Sequence, residues 1–239
     1  MNLINKISLK IKIELKFYLE QKYGMLKPKD PINIPKYLLK KYLPANPVII
    51  DCGAHIGSDS VELARIFPNS KIFAFEAVPS IFKNLENNTK QYKNIECCQL
   101  ALSNVKGVSS MYVSSGLSDA SSSLLKPTGH IKNHNDVFFN EIIEVNTITL
   151  DEWAQISNVK HVDFLWLDMQ GFELQMLKAS PNLLKTVKAI HTEVSLQDSY
   201  EKETLYNEYK IWLVENGFKV AIEAIPLHAD MGNVLFIKK

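Results

Sequence analysis

Short apolar runs typical of buried strands alternate with amphipathic stretches of helical spacing through most of the chain. The predicted strands lie near residues 47–51, 71–75, 94–99, 162–167, 187–193, 217–223 and 233–237. The predicted helices lie near residues 58–67, 79–90, 149–157, 171–179 and 201–216. Because strands that alternate with helices favour crossover connections, the pattern predicts an α/β domain with a parallel sheet covered by helices.

Residues 103–147 interrupt this alternation. They contain a predicted strand at Ser109–Val113, a polar tract at Ser114–Ser123 and a second predicted strand at Glu141–Ile148. A long insertion with strands of its own favours a lid or an element that faces the substrate. An ordinary surface loop is the alternative.

The first 46 residues are predicted to form a basic amphipathic helical extension and a linker in front of the main domain, which spans residues 47–239. Between residues 3 and 21, apolar residues recur at helical spacing among lysines, at Ile4, Ile7, Ile11, Leu15 and Leu19. Residues 1–41 carry ten lysines and three acids, a net charge of +7, whereas the rest of the chain carries −6. The basic helix is expected to cover the domain, to lie on an anionic membrane surface, or to pair with a second copy in a homodimer.

Length and composition narrow the class of protein further. A chain of 239 residues suits one sizeable α/β domain, and no apolar run approaches the length of a membrane span. Three cysteines without metal-ligand spacing indicate a reduced, cytoplasmic setting, with a peripheral position at the inner face of the membrane as the alternative. The acidic main domain argues against a nucleic-acid partner.

The first two predicted strands end in residues suited to a nucleotide-like ligand. Asp51, Gly53 and Gly57 follow the first strand, and Glu76 follows the second. Ligands of open α/β sheets bind at such strand ends, where glycines let the backbone approach closely. A pyrophosphate there would face Asp51 in a poorly solvated crevice, and like charges repel strongly in such a setting. S-adenosylmethionine carries positive charge and no phosphate, so we predict this cofactor, with Asp51 at its methionine end and Glu76 on its ribose.

An NAD-dependent sugar oxidoreductase or epimerase is the alternative enzyme class. The dinucleotide-binding turn of such enzymes reads G-x-G-x-x-G. The turn at Gly53 and Gly57 reads G-x-x-x-G instead, directly after the acid Asp51. Both differences favour S-adenosylmethionine.

Acids and imidazoles at later strand ends suggest acid–base chemistry. Asp168 follows a buried strand, His191 and Glu193 share one face of the next strand, and His228 precedes the last strand. We predict Asp168 as the general base or acceptor-positioning group, with Glu193 and His228 as further catalytic candidates. A buried core role for His191 and helix capping for Glu173 are the simpler interpretations. Asp168, Glu193 and His228 offer metal-ligand chemistry, but no compact ligand motif is present, so no metal is predicted.

Motifs in a fixed order cover the main domain: DCGAHIG at 51–57, FEAVP at 75–79, ALS at 101–103, TLDEW at 149–153, DFLWLDMQGFELQMLKAS at 163–180, TEV at 192–194 and GNVLFIKK at 232–239. With these motifs the chain resembles the FkbM-type methyltransferases from about residue 47 onward. The resemblance implies the class I methyltransferase (Rossmann-like) fold, with seven strands of which the last is antiparallel. It also implies methyl transfer from S-adenosylmethionine, usually to a hydroxyl of a sugar or polyketide-type product, and thus a small-molecule or glycan acceptor.

Several positions extend or depart from the family pattern. The resemblance adds Ala54 and Ser103 to the predicted cofactor contacts. His55 stands where asparagine is common and is predicted to contact the methionine portion or the acceptor, with turn packing as the alternative. Trp166 and Gln170 replace the lysine and glutamate of a motif often written KIDVEG. These replacements keep open a non-catalytic binding module for glycans or protein partners on a decayed methyltransferase fold.

Overall fold

The computed structural model describes residues 32–133 and 135–239, so the helix expected between residues 3 and 21 lies outside the described residues. The strands are β1 (Val48–Cys52), β2 (Lys71–Phe75), β3 (Ile95–Cys98), β4 (Ala101–Leu102), β5 (Gly107–Gly116), β6 (Val137–Ile148), β7 (Phe164–Leu167), β8 (Ala189–Ser195), β9 (Phe218–Ala224) and β10 (Met231–Lys238). The α-helices are α1 (Ser58–Ile66), α2 (Pro79–Thr89), α3 (Gly129–Asn133), α4 (Leu150–Ile156), α5 (Glu173–Lys178), α6 (Pro181–Leu184) and α7 (Tyr206–Glu215), and a 3-10 helix spans Lys36–Lys41. Within these ranges, every helix is too short or too polar to cross a membrane.

Seven strands form one twisted sheet in the order β3-β2-β1-β7-β8-β10-β9. β1 pairs in parallel with β2 on one side and with β7 on the other, whereas β10 runs antiparallel to β8 and β9. This sheet confirms the predicted Rossmann-like methyltransferase fold with an antiparallel last strand. The chain order reverses between β1 and β7, and such a switch point opens a crevice at the carboxyl ends of the strands.

Both faces of the central strands are buried. Ile50 and Leu165 belong to the apolar core on one face, and their neighbours Ile49 and Phe164 belong to the core on the other. Adjacent residues of a strand point to opposite faces, so a continuous apolar run is what a strand covered on both sides requires. The same burial holds the strand ends in fixed positions.

The insertion and the two residues before it form a second sheet of three strands in the order β4-β6-β5. Its two long strands confirm the predicted ones and extend beyond them, because β5 and β6 pair with each other from residue 107 to residue 116. The two-residue strand β4 was not predicted. It pairs in parallel with the end of β6 and joins the insertion to the main domain.

The 3-10 helix before β1 occupies a segment for which the sequence predicts only a linker. Ile34 and Leu39 are buried in the same apolar core as Ile49. Lys36 forms ion pairs of 2.7 Å with Asp59 and 2.8 Å with Glu62. These contacts join residues far apart in the chain, so no local pattern indicates them.

Candidate functional site

The turn between β1 and α1 brings Gly53 against the end of β7. Gly53 has a φ of 79°. The N–H groups of Gly53 and Ala54 donate to the carbonyl oxygen of Phe75 at 3.1 and 2.8 Å. A Cβ at Gly53 would lie 1.9 Å from the carbonyl oxygen of Asp168. Glycine therefore permits a close approach of two strand ends that any side chain would block.

Asp51 lies behind this turn and is fully buried. Its Oδ2 accepts a hydrogen bond from the Ser60 hydroxyl at 2.5 Å, and its Oδ1 has no partner among the described residues. Burial, with a smaller contribution from the charge of Asp59, raises the pKa of Asp51 to about 7. The carboxyl group thus connects β1 to α1 from a position behind the crevice.

Glu76 follows β2 directly and faces the crevice. Its Oε1 accepts a hydrogen bond from Val78 N at 2.8 Å, and its Oε2 accepts one from His55 N at 3.1 Å. Burial raises the pKa of Glu76, although these N–H donors act in the opposite direction. Two backbone donors therefore hold the carboxylate in one orientation at the edge of the crevice.

A first cavity lies outside the carboxyl ends of β1 and β2 and is open to solvent. The described residues that line it are Cys52, Gly53, His55, Phe75, Glu76, Ala77, Ile81, Leu100, Ala101, Leu102, Met111, Asp119, Ala120, Ser122, Leu124, Asp168, Met169 and Phe172. This set contains three carboxylates, several large apolar side chains and no lysine or arginine. Such a lining favours a ligand with an apolar portion and a positive charge over one that carries phosphates.

The insertion covers one side of the first cavity. Asp119 from the polar tract and His55 from the first turn approach to 2.9 Å between Oδ1 and Nε2. The Asp119 side chain is 64% exposed, so the pair contributes only modestly to stability. The contact brings the polar tract of the insertion against the first turn, beside the cavity.

One carboxamide links two carboxyl groups at the ends of β7 and β8. Gln170 Nε2 donates to Asp168 Oδ1 at 2.6 Å and to Glu193 Oε2 at 3.2 Å. Burial raises the pKa of Asp168 and of Glu193, and the charge of Asp168 raises that of Glu193 further. The neutral amide therefore holds both carboxyl groups without adding a charge between them.

The same glutamine connects the insertion to the main domain. The Ser123 hydroxyl donates to the carbonyl oxygen of Gln170 at 2.8 Å. The Tyr200 hydroxyl lies 2.8 Å from the carbonyl oxygen of Ser121 and 3.1 Å from Gln170 Oε1. The insertion is thus hydrogen-bonded to the turn that follows β7.

A second cavity, also open to solvent, adjoins Asp168. The described residues that line it are Ile32, Asn33, Lys36, Asp59, Trp166, Leu167, Asp168, His191, Glu193 and Asn233. Asp168 is the residue that both linings share. This residue therefore lies where the two cavities adjoin.

The predicted site residues fall into two groups. Those that line one of the two cavities are Gly53, His55, Glu76, Asp168 and Glu193. Those that lie outside both linings are Asp51, Ala54, Gly57, Ser103 and His228.

The second group has identifiable structural positions. The Cβ of any residue at Gly57 would lie 2.7 Å from Leu85, so this glycine serves the packing of α1 on α2. Ser103 is buried, and its N–H donates to the carbonyl oxygen of Ile148 at 2.9 Å. His228 is exposed in the turn between β9 and β10, whose strands are the outermost at that end of the sheet.

Sequence reasoning missed Asp119 and Tyr200, and it treated Gln170 only as a departure from the family pattern. Asp119 and Tyr200 reach the site through contacts over 64 and 30 residues of chain. A signal for Gln170 was present, because a residue two positions after a strand-end acid lies within reach of that acid in a tight turn. Its φ of 52° confirms that the turn is tight.

Comparison with known sequences matches this chain to methyltransferases. The model of the methyltransferase FkbM domain matches residues 51–220. The 2-O-methyltransferase NoeI of Sinorhizobium fredii is 27% identical over 183 residues, which cover 74% of this chain and 75% of NoeI. The methyltransferase sdnD of Sordaria araneosa is 26% identical over 162 residues, which cover 57% of this chain and 61% of sdnD.

Solved structures show the same fold. A methyltransferase FkbM from Methylobacillus flagellatus aligns with a TM-score of 0.52 at 13% identity, over 86% of this chain and 48% of that one. The fibrillarin pre-rRNA processing protein of Methanococcus jannaschii aligns with a TM-score of 0.51 at 16% identity, over 87% of this chain and 70% of that one. At such low identity these likenesses concern the fold alone.

Proposed function

The chain belongs to the FkbM family of S-adenosylmethionine-dependent methyltransferases, and we propose that it methylates a hydroxyl group of a sugar, a glycan or a related small molecule. Its relative NoeI is a 2-O-methyltransferase, which supports oxygen as the accepting atom. The position of Asp168 between two cavities carries the proposal, because methyl transfer needs one site for the cofactor and an adjoining site for the acceptor.

The residues of the first cavity fit S-adenosylmethionine. Glu76 is oriented to accept hydrogen bonds from ribose hydroxyls, and Ile81 and Leu102 supply apolar surface for an adenine ring. The absence of lysine and arginine from the described lining suits a cofactor without phosphate. Gly53 leaves room for a ligand and for the end of β7 at the same turn. When bound, the cofactor would supply an electrophilic methyl group on a positively charged sulfur, and breaking the carbon–sulfur bond would leave neutral S-adenosylhomocysteine.

Asp168 acts as the general base in the proposed reaction. The accepting hydroxyl donates its proton to the Asp168 carboxylate, which leaves an oxygen able to attack the methyl carbon. Gln170 fixes the orientation of the carboxylate through its 2.6 Å hydrogen bond. The rest of the rate acceleration comes from aligning the accepting oxygen with the methyl carbon, because this displacement needs little further stabilisation of charge. His228 has no part in this mechanism, because it lines neither cavity.

Product analysis tests the proposal directly. The protein is incubated with labelled S-adenosylmethionine and a panel of sugars, sugar nucleotides and lipid-linked glycans, and products are identified by mass spectrometry. We expect an O-methylated saccharide. Tight binding of S-adenosylhomocysteine without any product would favour the non-catalytic binding module, and thermal stabilisation by NAD instead of S-adenosylhomocysteine would favour the oxidoreductase.

Replacing Glu76 with alanine is expected to weaken S-adenosylhomocysteine binding about 10- to 100-fold, because a charged hydrogen-bond acceptor contributes roughly 1.5–3 kcal/mol. Calorimetric titration measures the change. Glu86→Ala, an exposed acid on the adjacent helix α2, is the matched control and should bind normally. Equal affinities of the two variants would remove Glu76 from the cofactor site.

The turnover number is expected to decrease as the pH is lowered. Burial raises the pKa of Asp168 above the ordinary value of about 3.9, and the reactive form is the carboxylate. Activity is therefore complete above the raised pKa and declines about tenfold per pH unit below it. Initial rates at saturating substrates, with folding checked by fluorescence at each pH, measure the profile. A flat profile through the acid range would contradict Asp168 as the base.

A further inference from the structure

We propose that the second cavity binds the acceptor and selects an uncharged, polyhydroxylated ring. This inference rests on the proposed function and deepens it, because it assigns the acceptor a place and a chemical class. The shared residue Asp168 gives the place, because a hydroxyl held in the second cavity would lie beside the residue that also lines the first.

The lining of the second cavity has the chemistry of a hydroxyl-binding site. Asp168 and Glu193 supply carboxyl oxygens, and Asn33 supplies an amide that both donates and accepts. Asn233 donates its amide to the carbonyl oxygen of Ile32 at 3.0 Å, so its own oxygen is left to accept. Groups of this kind bind a ring that carries several neighbouring hydroxyls.

A buried histidine in the same lining lacks a partner. His191 is 4% exposed, and its Nδ1 makes no hydrogen bond within the described residues. Burial lowers the pKa of His191 to about 3, so the ring is neutral and can accept or donate one hydrogen bond without bringing a charge. An unsatisfied buried polar atom is costly, so a rearrangement of the lining that gave Nδ1 a hydroxyl partner would be favourable.

Aromatic stacking is not available to the ligand at Trp166. His191 covers one face of the indole, with ring centroids 3.6 Å apart and planes 3° from parallel. Lys36 Nζ lies 4.5 Å from the centroid of the indole. Since the stacked imidazole leaves no room on its own face, the ammonium must occupy the other. Recognition in this cavity therefore depends on hydrogen bonds.

The charges of the cavity disfavour an anionic acceptor. Lys36 is the only lysine or arginine among the described residues of the lining, and Asp59 and Glu62 already pair with it at 2.7 and 2.8 Å. Although burial alone would lower it, these two acids raise the pKa of Lys36, which therefore stays charged and occupied. A carboxylate or phosphate on the ring would meet Asp168 with no free cation beside it.

Matched pairs of sugars test this selection. The protein saturated with S-adenosylhomocysteine is titrated with the methyl glycosides of glucose, galactose and mannose, and with the corresponding uronic acids. We expect at least one neutral member to bind about tenfold more tightly than its acidic partner. Equal or tighter binding of the acids, or binding of none of the six, would overturn the proposal.

Two variants locate the bound sugar and test the charge argument. Asn33→Ala should lower the affinity for the neutral sugar about fivefold without changing the affinity for S-adenosylhomocysteine. An unchanged sugar affinity would place the ligand elsewhere and overturn the proposal. Asp59→Asn releases Lys36 from one partner and should raise the affinity for the acidic sugar about tenfold relative to that for the neutral one. Glu86→Gln makes the same change in net charge away from the cavity and should leave that ratio unaltered. A ratio that stays the same in Asp59→Asn would contradict the charge argument.

The outcomes separate this inference from the proposed function. Methyl transfer to an acidic or non-saccharide acceptor would leave the proposed enzyme class standing and refute the selection. Specific binding of neutral sugars that depends on Asn33, with no methyl transfer to any acceptor, would support the site and refute the enzyme function.

Discussion

Replacing Asp168 with asparagine is expected to lower kcat by about 10²- to 10⁴-fold, the range that removal of a general base produces. Asparagine has nearly the same shape and keeps an oxygen that can accept the hydrogen bond from Gln170. The variant should therefore bind S-adenosylhomocysteine as the parent does, because the loss concerns proton transfer alone. Single-turnover rates and calorimetric titration measure the two quantities separately.

Asp163→Asn is the matched control for this experiment. Asp163 immediately precedes β7, whereas Asp168 immediately follows it. Asp163 Oδ1 pairs with Lys188 at 2.9 Å, and its Oδ2 accepts from Val48 N at 2.9 Å. Its replacement should lower thermal stability and leave kcat unchanged. Normal turnover by Asp168→Asn would refute the assignment and direct attention to Glu193.

Replacing Gly53 with alanine is expected to abolish measurable cofactor binding and turnover together. The φ of 79° costs a residue with a side chain roughly 1–2 kcal/mol. The added Cβ would also lie 1.9 Å from the carbonyl oxygen of Asp168, so the turn or the end of β7 must move. Either movement disturbs the first cavity and the proposed base at once. Titration with S-adenosylhomocysteine and a rate assay measure both losses.

Gly217→Ala separates backbone strain from the clash. Gly217 has a φ of 86°, but the nearest atom to an added Cβ is 3.7 Å away, on Lys238. This variant should lose about 1 kcal/mol of unfolding free energy and keep its cofactor affinity. If Gly53→Ala behaved in the same way, the close approach at the first turn would have no functional meaning.

The main sheet follows closely from the sequence because its strands are buried on both faces. Continuous apolar runs such as Ile49–Ile50 and Phe164–Leu165 are needed for that burial, and they are visible in the sequence itself. The 3-10 helix before β1 lacks such a signal. It is held by Lys36 and Leu39 through contacts with residues beyond β1, so only the folded chain reveals it.

The candidate site is predictable to the extent that strand ends carry it. Gly53, Glu76 and Asp168 each follow an apolar run directly, and the topology then brings the three ends to one edge of the sheet. Asp119 and Tyr200 belong to segments without a periodic pattern, and their positions depend on how the insertion folds back. Asp51 also ends a strand and is predicted to contact the ligand, but its hydrogen bond with Ser60 is a feature that only the folded chain reveals.

Ser123 and Tyr200 each form a hydrogen bond with Gln170 in the turn after β7, and Tyr200 also bonds to Ser121. These bonds define a boundary for protein engineering. On one side of it lie the groups that hold the proposed base, and on the other lie the long strands β5 and β6, which pair mainly with each other. Exchange of the hairpin formed by these strands, with the serines and the tyrosine retained, should alter the shape of the cleft without realigning Asp168. New ligand preferences could then be selected from hairpin libraries built on one unchanged catalytic frame.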